Sequence, residues 1–125
     1  MTIASVLCAF LCGGICAAAQ AGGSPVFACN LKAIGVAERP RHNDLSRRLR
    51  SAVRDRSELS DGYALKLDGK TISLPEVAEW IAMERLCCPF LTLELSASGN
   101  QADWLLKLIG PEGVKPLLRA EFRAR

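Results

Sequence analysis

The sequence predicts a small two-layer α+β domain in which helices cover one face of a three-stranded antiparallel sheet. Three segments alternate apolar and polar side chains, which is the pattern of strands with a single buried face. Three others carry apolar residues at three- to four-residue spacing, which is the pattern of amphipathic helices. A chain of 125 residues has room for one such domain.

The first predicted helix covers residues 38–56. Leu45, Leu49 and Val53 recur at four-residue spacing, and Pro40 suits the first turn, where its missing N–H is not needed. The opposite face is basic, and such a face is more often solvated than bound to an anionic surface or protein. Its candidate anion-binding side chains are Arg47, Arg48, Arg50 and Arg54.

The second predicted helix covers residues 74–88 and carries start and stop signals at both ends. Ser73 and Glu76 have the spacing of a capping box. Pro89 ends the helix, because proline disfavours the α conformation for the residue before it. Trp80 falls on the apolar face of this helix, and we expect it to lie in the core.

The predicted strands cover residues 63–67, 91–95 and 104–108, and Trp104 begins the apolar face of the third. A turn at residues 110–113 opens a last helix with four apolar positions, Val114, Leu117, Leu118 and Phe122. From the first strand onward the order is β-α-β-β-α, which is most of a ferredoxin-like split βαβ unit. One further helix precedes it.

The N-terminal 31 residues carry no charged side chain, whereas all 16 Lys and Arg and all 13 Asp and Glu lie from Lys32 onward. Ile3 to Ile15 forms an apolar run of signal-peptide length, although no Lys or Arg precedes it. Small residues before Ala21 suit cleavage after it, so we expect a signal peptide at 1–21 and one α+β domain at 22–125. The alternatives are a retained membrane anchor, lipidation at a cysteine, for which no cysteine within residues 1–21 has a small residue before it, and a buried helix.

Cleavage at Ala21 would leave three cysteines in the exported chain, Cys29, Cys87 and Cys88, together with the one histidine, His42. An odd number of cysteines in an oxidising compartment indicates one bridge and a spare thiol, an intermolecular bridge, or a set of metal ligands. The predicted signal peptide indicates a periplasmic or secreted protein. The sequence does not decide between the internal bridge, the intermolecular bridge and the metal site in such a protein.

The adjacent Cys87 and Cys88 lie at the predicted C-terminus of a helix, where the helix dipole raises the pKa of a thiol. Glu84, one turn earlier, would raise it further, and Arg85 would oppose this effect. Glu84 and Arg85 are therefore candidates for residues that shift the pKa of the thiols without binding the metal themselves. These surroundings do not favour a nucleophilic thiolate, so we predict no catalytic residue, and thiol–disulfide redox exchange is a third interpretation.

Two interpretations of the cysteines lead. Cys29, Cys87, Cys88 and His42 together have the Cys₃His composition of some structural zinc sites, and three thiolates alone would suit a trigonal soft ion. Alternatively, Cys29 forms a disulfide with Cys87 or Cys88, and the remaining cysteine packs as a small apolar residue. His42, beside Arg41, is expected at the surface more readily than as a ligand.

Charge and composition limit the partners. The net charge is +3, which is too small to indicate nucleic acid, and no aromatic residues interleave the arginines for base stacking. We therefore expect no specific nucleic-acid partner and no membrane span in the exported chain. An anionic surface or protein remains the candidate partner of the arginine face.

The chain also resembles a family of small uncharacterised bacterial proteins with a Glu-Arg-x-Cys-Cys-Pro-Phe motif and a C-terminal Gly-Pro-Glu-Gly-Val-Lys segment. The matching segments are Phe27-Ala28-Cys29-Asn30, Arg41-His42, Asp61-Gly62-Tyr63, Glu84-Arg85-Leu86-Cys87-Cys88-Pro89-Phe90 and Gly110-Pro111-Glu112-Gly113-Val114-Lys115. The cysteine segment is similar to tails of some bacterial regulators of heavy-metal type. The resemblance implies candidate ligands at Cys29, Cys87 and Cys88, with His42 less securely, and no reaction.

The sequence thus predicts an exported, non-enzymatic thiol protein that binds a soft metal ion (zinc, copper or mercury in type) through Cys29 and the Cys87-Cys88 pair. The alternative is a metal-free envelope protein, stabilised by a disulfide, whose arginine face meets an anionic partner. The Gly-Met-Thr-Cys-x-x-Cys loop of ferredoxin-like metallochaperones is missing, so their copper chemistry is not expected.

Overall fold

The computed structural model describes residues 27–123, and the predicted signal peptide lies outside them. Within this range the chain forms three α-helices, four β-strands and one short 3-10 helix. In chain order these are the 3-10 helix Leu31–Ala33, α1 Arg39–Ala52, β1 Val53–Leu59, β2 Gly62–Asp68, α2 Leu74–Cys87, β3 Thr92–Ser96, β4 Asp103–Ile109 and α3 Lys115–Glu121.

The four strands form one antiparallel sheet in the order β1-β2-β4-β3. Strands β2 and β3, which α2 joins, flank β4, and this is the arrangement of a split βαβ unit. The register places Leu65 opposite Leu106, and Leu108 lies opposite both Tyr63 and Leu93. Apolar side chains of neighbouring strands therefore share one face of the sheet, and the predicted α+β class is confirmed.

The prediction of three strands missed β1, and the first helix ends at Ala52 instead of Arg56. Val53 continues the four-residue spacing of α1, which extended the predicted helix, but its backbone is already extended, with ψ 110°. Strand β1 is an edge strand that pairs only with β2. Most of its residues, Arg54 among them, are charged or polar, so the strand lacks the alternation of apolar and polar side chains. Charged side chains on an edge strand keep it from pairing with strands of other chains.

All three helices contribute to one core against the apolar face of the sheet. Leu45 and Leu49 of α1, Val77 of α2 and Leu118 of α3 are each at most 1% exposed. Trp80 lies in this core as predicted, and its Nε1–H donates to Ser46 Oγ at 2.9 Å, which joins α2 to α1. Trp104, the other tryptophan expected in the core, is partly buried and packs against this core.

Helix α2 begins at Leu74, as the sequence predicts, and ends at Cys87, one residue before the predicted end. Ser73 Oγ accepts a hydrogen bond from the Glu76 N–H at 3.3 Å, and Glu76 Oε2 accepts one from the Ser73 N–H at 2.9 Å, which completes the capping box. At the other end, Cys88 leaves helical geometry just before Pro89. None of the helices within residues 27–123 has the length and hydrophobicity that a bilayer crossing requires.

A candidate three-cysteine site

The three cysteines of the described chain meet at the C-terminal end of α2. Cys29 and Cys88 form a disulfide with their Cα atoms 4.9 Å apart, and Cys87 is a free, buried thiol. The three sulfur atoms lie within 4.8 Å of one another. The predicted approach of Cys29 to the cysteine pair is confirmed, and the bridge selects Cys88.

Local backbone geometry explains how two neighbouring cysteines face the same partner. Consecutive residues of a helix point about 100° apart, because a helix has 3.6 residues per turn. Cys87 is the last helical residue, and Cys88 has left the helix, with φ −122° and ψ 69°. The Asn30 N–H donates to the Cys87 carbonyl oxygen at 2.9 Å, which fixes the Cys29 segment against this end of α2.

The cysteines lie in a small apolar cluster of their own. Cys87, Cys88 and Ile34 are buried together, apart from the main core. Phe90 packs against this cluster, and its ring lies beside that of Phe27 with centroids 4.8 Å apart. Apolar groups therefore form most of the surroundings of Cys87 and Cys88, and they favour a neutral thiol or a disulfide over a free thiolate.

Glu84 is the polar group that touches the sulfurs. It lies one turn before Cys88, and its Oε1 is 3.2 Å from Cys88 Sγ and 3.8 Å from Cys29 Sγ. Its Oε2 lies 2.7 Å from His42 Nε2 in a buried pair. Burial raises the pKa of the Glu84 carboxyl, and the contact with His42 opposes this shift.

His42 is buried, with 5% exposure, so the expectation of a surface position was wrong. The sequence did contain a signal: His42 precedes Leu45 by three residues and Leu49 by seven, which places all three on the face that α1 turns toward the core. The three sulfur atoms form a group of candidate metal ligands by themselves, and the ring nitrogens of His42 lie outside it. The imidazole instead contacts Glu84, and so reaches the cysteines through that carboxyl.

Cys87 is poorly suited to act as a nucleophile in the disulfide-bonded protein. Burial, followed by the charges of Glu84 and Glu121, raises the pKa of its thiol to about 11. This agrees with the direction expected from its place near Glu84 at a helix end. At neutral pH the thiol is protonated, because it would need to lose its proton in apolar surroundings beside carboxylates.

A cavity of about 410 Å³ adjoins the disulfide. Part of its wall is apolar, from Phe27, Leu91 and Leu117, and both bridged cysteines also line it. His42 lines the same cavity, and its buried Nδ1 has no hydrogen-bond partner among the described residues. The site therefore combines sulfur chemistry with space for a small ligand and one unsatisfied polar atom.

The basic face is charge-compensated. Arg47 lies 3.2 Å from Asp44, Arg50 lies 3.6 Å from Glu121, and Arg54, which belongs to β1, lies 3.2 Å from Asp68. Arg48 donates to Glu76 at 2.9 Å. Each predicted anion-binding arginine thus has a carboxylate partner, which weakens the field this face presents to an anion. Arg85 is exposed on α2.

Comparison with known proteins adds no family. The chain matches no protein-family model, no curated protein and no solved structure.

The oxidation state decides what the cluster can do. A disulfide sulfur is not a thiolate, so within residues 27–123 the oxidised protein offers only Cys87 as an ionisable sulfur. Reduction frees Cys29 and Cys88 and leaves three thiols in one place. Sulfur ligands about 2.3 Å from a tetrahedral zinc ion are about 3.8 Å from each other, which is within the 4.8 Å spread of these sulfurs.

Proposed function

We propose that the reduced protein binds a soft metal ion through Cys29, Cys87 and Cys88, and that the Cys29–Cys88 disulfide closes this site on oxidation. The observation that carries the proposal is the spread of the three sulfur atoms, which is at most 4.8 Å. Thiolates prefer soft or borderline ions such as zinc, copper(I) and mercury(II). Two of the three ligands are lost when the disulfide forms.

Glu84 gives the proposed site a further donor. Its Oε1 lies 3.2 Å from Cys88 Sγ and 3.8 Å from Cys29 Sγ, which makes Glu84 a candidate for the fourth zinc ligand, although it lies outside the group formed by the three sulfurs. His42 contacts the other oxygen of this carboxylate at 2.7 Å, and a partner of this kind orients a ligating group. In this proposal His42, which the sequence offered as a possible ligand, does not bind the metal but orients the Glu84 carboxylate.

The export predicted from the sequence would place a redox-controlled site in a suitable compartment. Disulfides persist in oxidising compartments such as the periplasm, and residues 1–21 have the composition of a signal peptide. The alternative function, an envelope protein that binds anions through its arginine face, receives less support. Carboxylates already pair with Arg47, Arg48, Arg50 and Arg54.

Zinc titration of the two oxidation states tests the proposal. Protein reduced with a phosphine and kept free of oxygen should bind one zinc ion per chain, and the disulfide-bonded protein should bind none at the same concentrations. Cys87→Ser removes one ligand without removing the disulfide, and it should weaken zinc binding by about 100-fold or more, since even partners of ligands are worth 10- to 100-fold.

Ala82→Ser is the matched control, because Ala82 is exposed on the same helix. It should bind zinc as the wild type does. Equal zinc binding by the reduced and oxidised proteins, or by Cys87→Ser and Ala82→Ser, would rule the proposed site out.

A further inference from the structure

The Cys29–Cys88 disulfide differs from a buried structural bridge in the accessibility of its two ends. Cys29 is an exposed residue, whereas Cys88 is fully buried. Both line the 410 Å³ cavity. Thiol–disulfide exchange requires an attacking thiolate to reach one sulfur in line with the S–S bond. The exposed residue is therefore the end at which attack can occur, and the buried Cys88 is the leaving group.

The cavity supplies a place for the attacking molecule. Its volume is at the lower end of the range for small-molecule sites. Its wall is partly apolar, and it holds the buried Nδ1 of His42, which has no partner in the described chain. Asn43 adds an amide to the lining, and Arg50 adds a guanidinium that lies 3.6 Å from the carboxylate of Glu121, which lines the same cavity. These groups suit a small thiol that carries both hydrogen-bond donors and acceptors, such as amide groups.

We propose that this cavity binds a low-molecular-weight thiol that reduces the Cys29–Cys88 disulfide by attack at Cys29. The inference concerns the oxidised protein and does not depend on metal binding. It adds a reaction, two-electron thiol–disulfide exchange, to a protein for which metal binding is the function proposed above.

The reaction balances in two steps. In the first, the bound thiolate attacks Cys29 Sγ, the Cys29–Cys88 bond breaks, and Cys88 leaves as a thiolate that takes up a proton. In the second, another thiolate of the same kind attacks the sulfur of the bound molecule, which releases a small-molecule disulfide and the Cys29 thiol. Two small thiols are oxidised, the protein disulfide is reduced, and the two protons end on the two cysteines.

Glu84 lies close enough to Cys88, the leaving group of the first step, to exchange a proton with it. Its Oε1 lies 3.2 Å from Cys88 Sγ, so a proton can pass between the two atoms without entering the apolar cluster. The reaction at Cys29 leaves Cys87 unchanged, because Cys87 is only 1% exposed and the small thiol does not reach it.

Reduction kinetics with glutathione and 2-mercaptoethanol test the inference. In metal-free buffer, the rate of disulfide reduction by glutathione should saturate as its concentration rises, which indicates a bound complex. Asn43→Trp places a large side chain at the cavity lining and should lower the rate at subsaturating glutathione by about tenfold. The smaller 2-mercaptoethanol should be slowed less.

Arg47→Trp is the matched control, because Arg47 is exposed one turn further along α1 and does not line the cavity. It should react as the wild type does. A linear dependence on glutathione concentration, with equal rates for Asn43→Trp and Arg47→Trp, would overturn the proposed binding site.

Mapping of the mixed disulfide tests the direction of attack. Cys87→Ser protein treated briefly with glutathione and then acid-quenched should carry glutathione on Cys29. Glutathione on Cys88 instead, or no mixed disulfide at all, would contradict the mechanism. Neither result would bear on zinc binding by protein that a phosphine has reduced.

Discussion

At the scale of single residues, the site depends on a carboxyl group that has two neighbours of different chemistry. One oxygen of Glu84 faces the sulfurs of Cys88 and Cys29, and the other contacts His42. A buried carboxyl group without polar partners would destabilise the fold. The contact with His42 gives the Glu84 carboxyl such a partner. Glu84 in turn holds a polar atom against the sulfurs inside an otherwise apolar cluster.

The raised pKa of Cys87 gives a prediction at this scale. With a pKa of about 11 instead of 9.0, the thiolate fraction near pH 8 is about 100-fold lower than that of an ordinary cysteine. Alkylation of Cys87 by iodoacetamide in the folded, oxidised protein should therefore be at least that much slower than in guanidinium. Its rate should still rise about tenfold per pH unit up to pH 10.

Peptide mapping assigns the alkylated residue, and the protein in guanidinium is the control, whose rate should level off above about pH 9. A folded protein whose alkylation rate levels off at or below pH 9 would show that the thiol is not perturbed as described.

Sequence patterns predicted several residues well and others poorly, for physical reasons. Ser73, Glu76 and Pro89 act through local backbone rules, so their effects are readable in the sequence. The burial of His42 was missed because a single polar residue before an apolar stripe does not reveal whether it has a buried partner. The choice of Cys88 over Cys87 was also open, because it depends on the direction in which the chain leaves the helix.

At the scale of secondary-structure elements, α2 connects the core to the site. Its middle buries Val77 and Trp80, and its last turn carries Glu84 and Cys87. The start of the helix therefore affects how firmly its functional end is held. Strand β1 was not predictable in the same way, since an edge strand forms backbone hydrogen bonds with one neighbour and needs no apolar alternation.

The capping box gives a prediction for α2. Ser73→Ala removes the side chain that accepts from the Glu76 N–H, and the free energy of unfolding in urea should fall by about 1 kcal/mol. Ser51→Ala is the control at an exposed position of α1, where alanine favours a helix, and it should be neutral or slightly stabilising. Equal effects of the two substitutions would show that the cap does not stabilise α2.

At the scale of the whole molecule, the disulfide ties the segment around Cys29 to the end of α2 across 59 residues of sequence. Without it, the Cys29 segment would still be held by the Asn30 N–H bond to Cys87 and by the packing of Phe27 on Phe90. The same bridge therefore has two roles: it stabilises the fold, and it keeps two of the proposed ligands from a metal.

Cys29→Ser tests the first role. In the chain-entropy model, a loop of this length gives a stabilisation of about 4 kcal/mol, so the variant should be less stable than oxidised wild type by about that amount. The difference should largely disappear when both proteins are unfolded in the presence of a reductant. A difference that persists in reductant would show that the serine itself, and not the loss of the bridge, destabilises the protein.

The proposed function requires three thiols of one molecule to bind a single metal ion after reduction. X-ray absorption spectroscopy of the reduced, zinc-loaded protein measures this directly, because it counts the sulfur atoms around the metal. We predict three sulfur ligands at about 2.3 Å, with nitrogen or oxygen completing the coordination. A zinc environment without sulfur, or with a single sulfur, would contradict the proposed site.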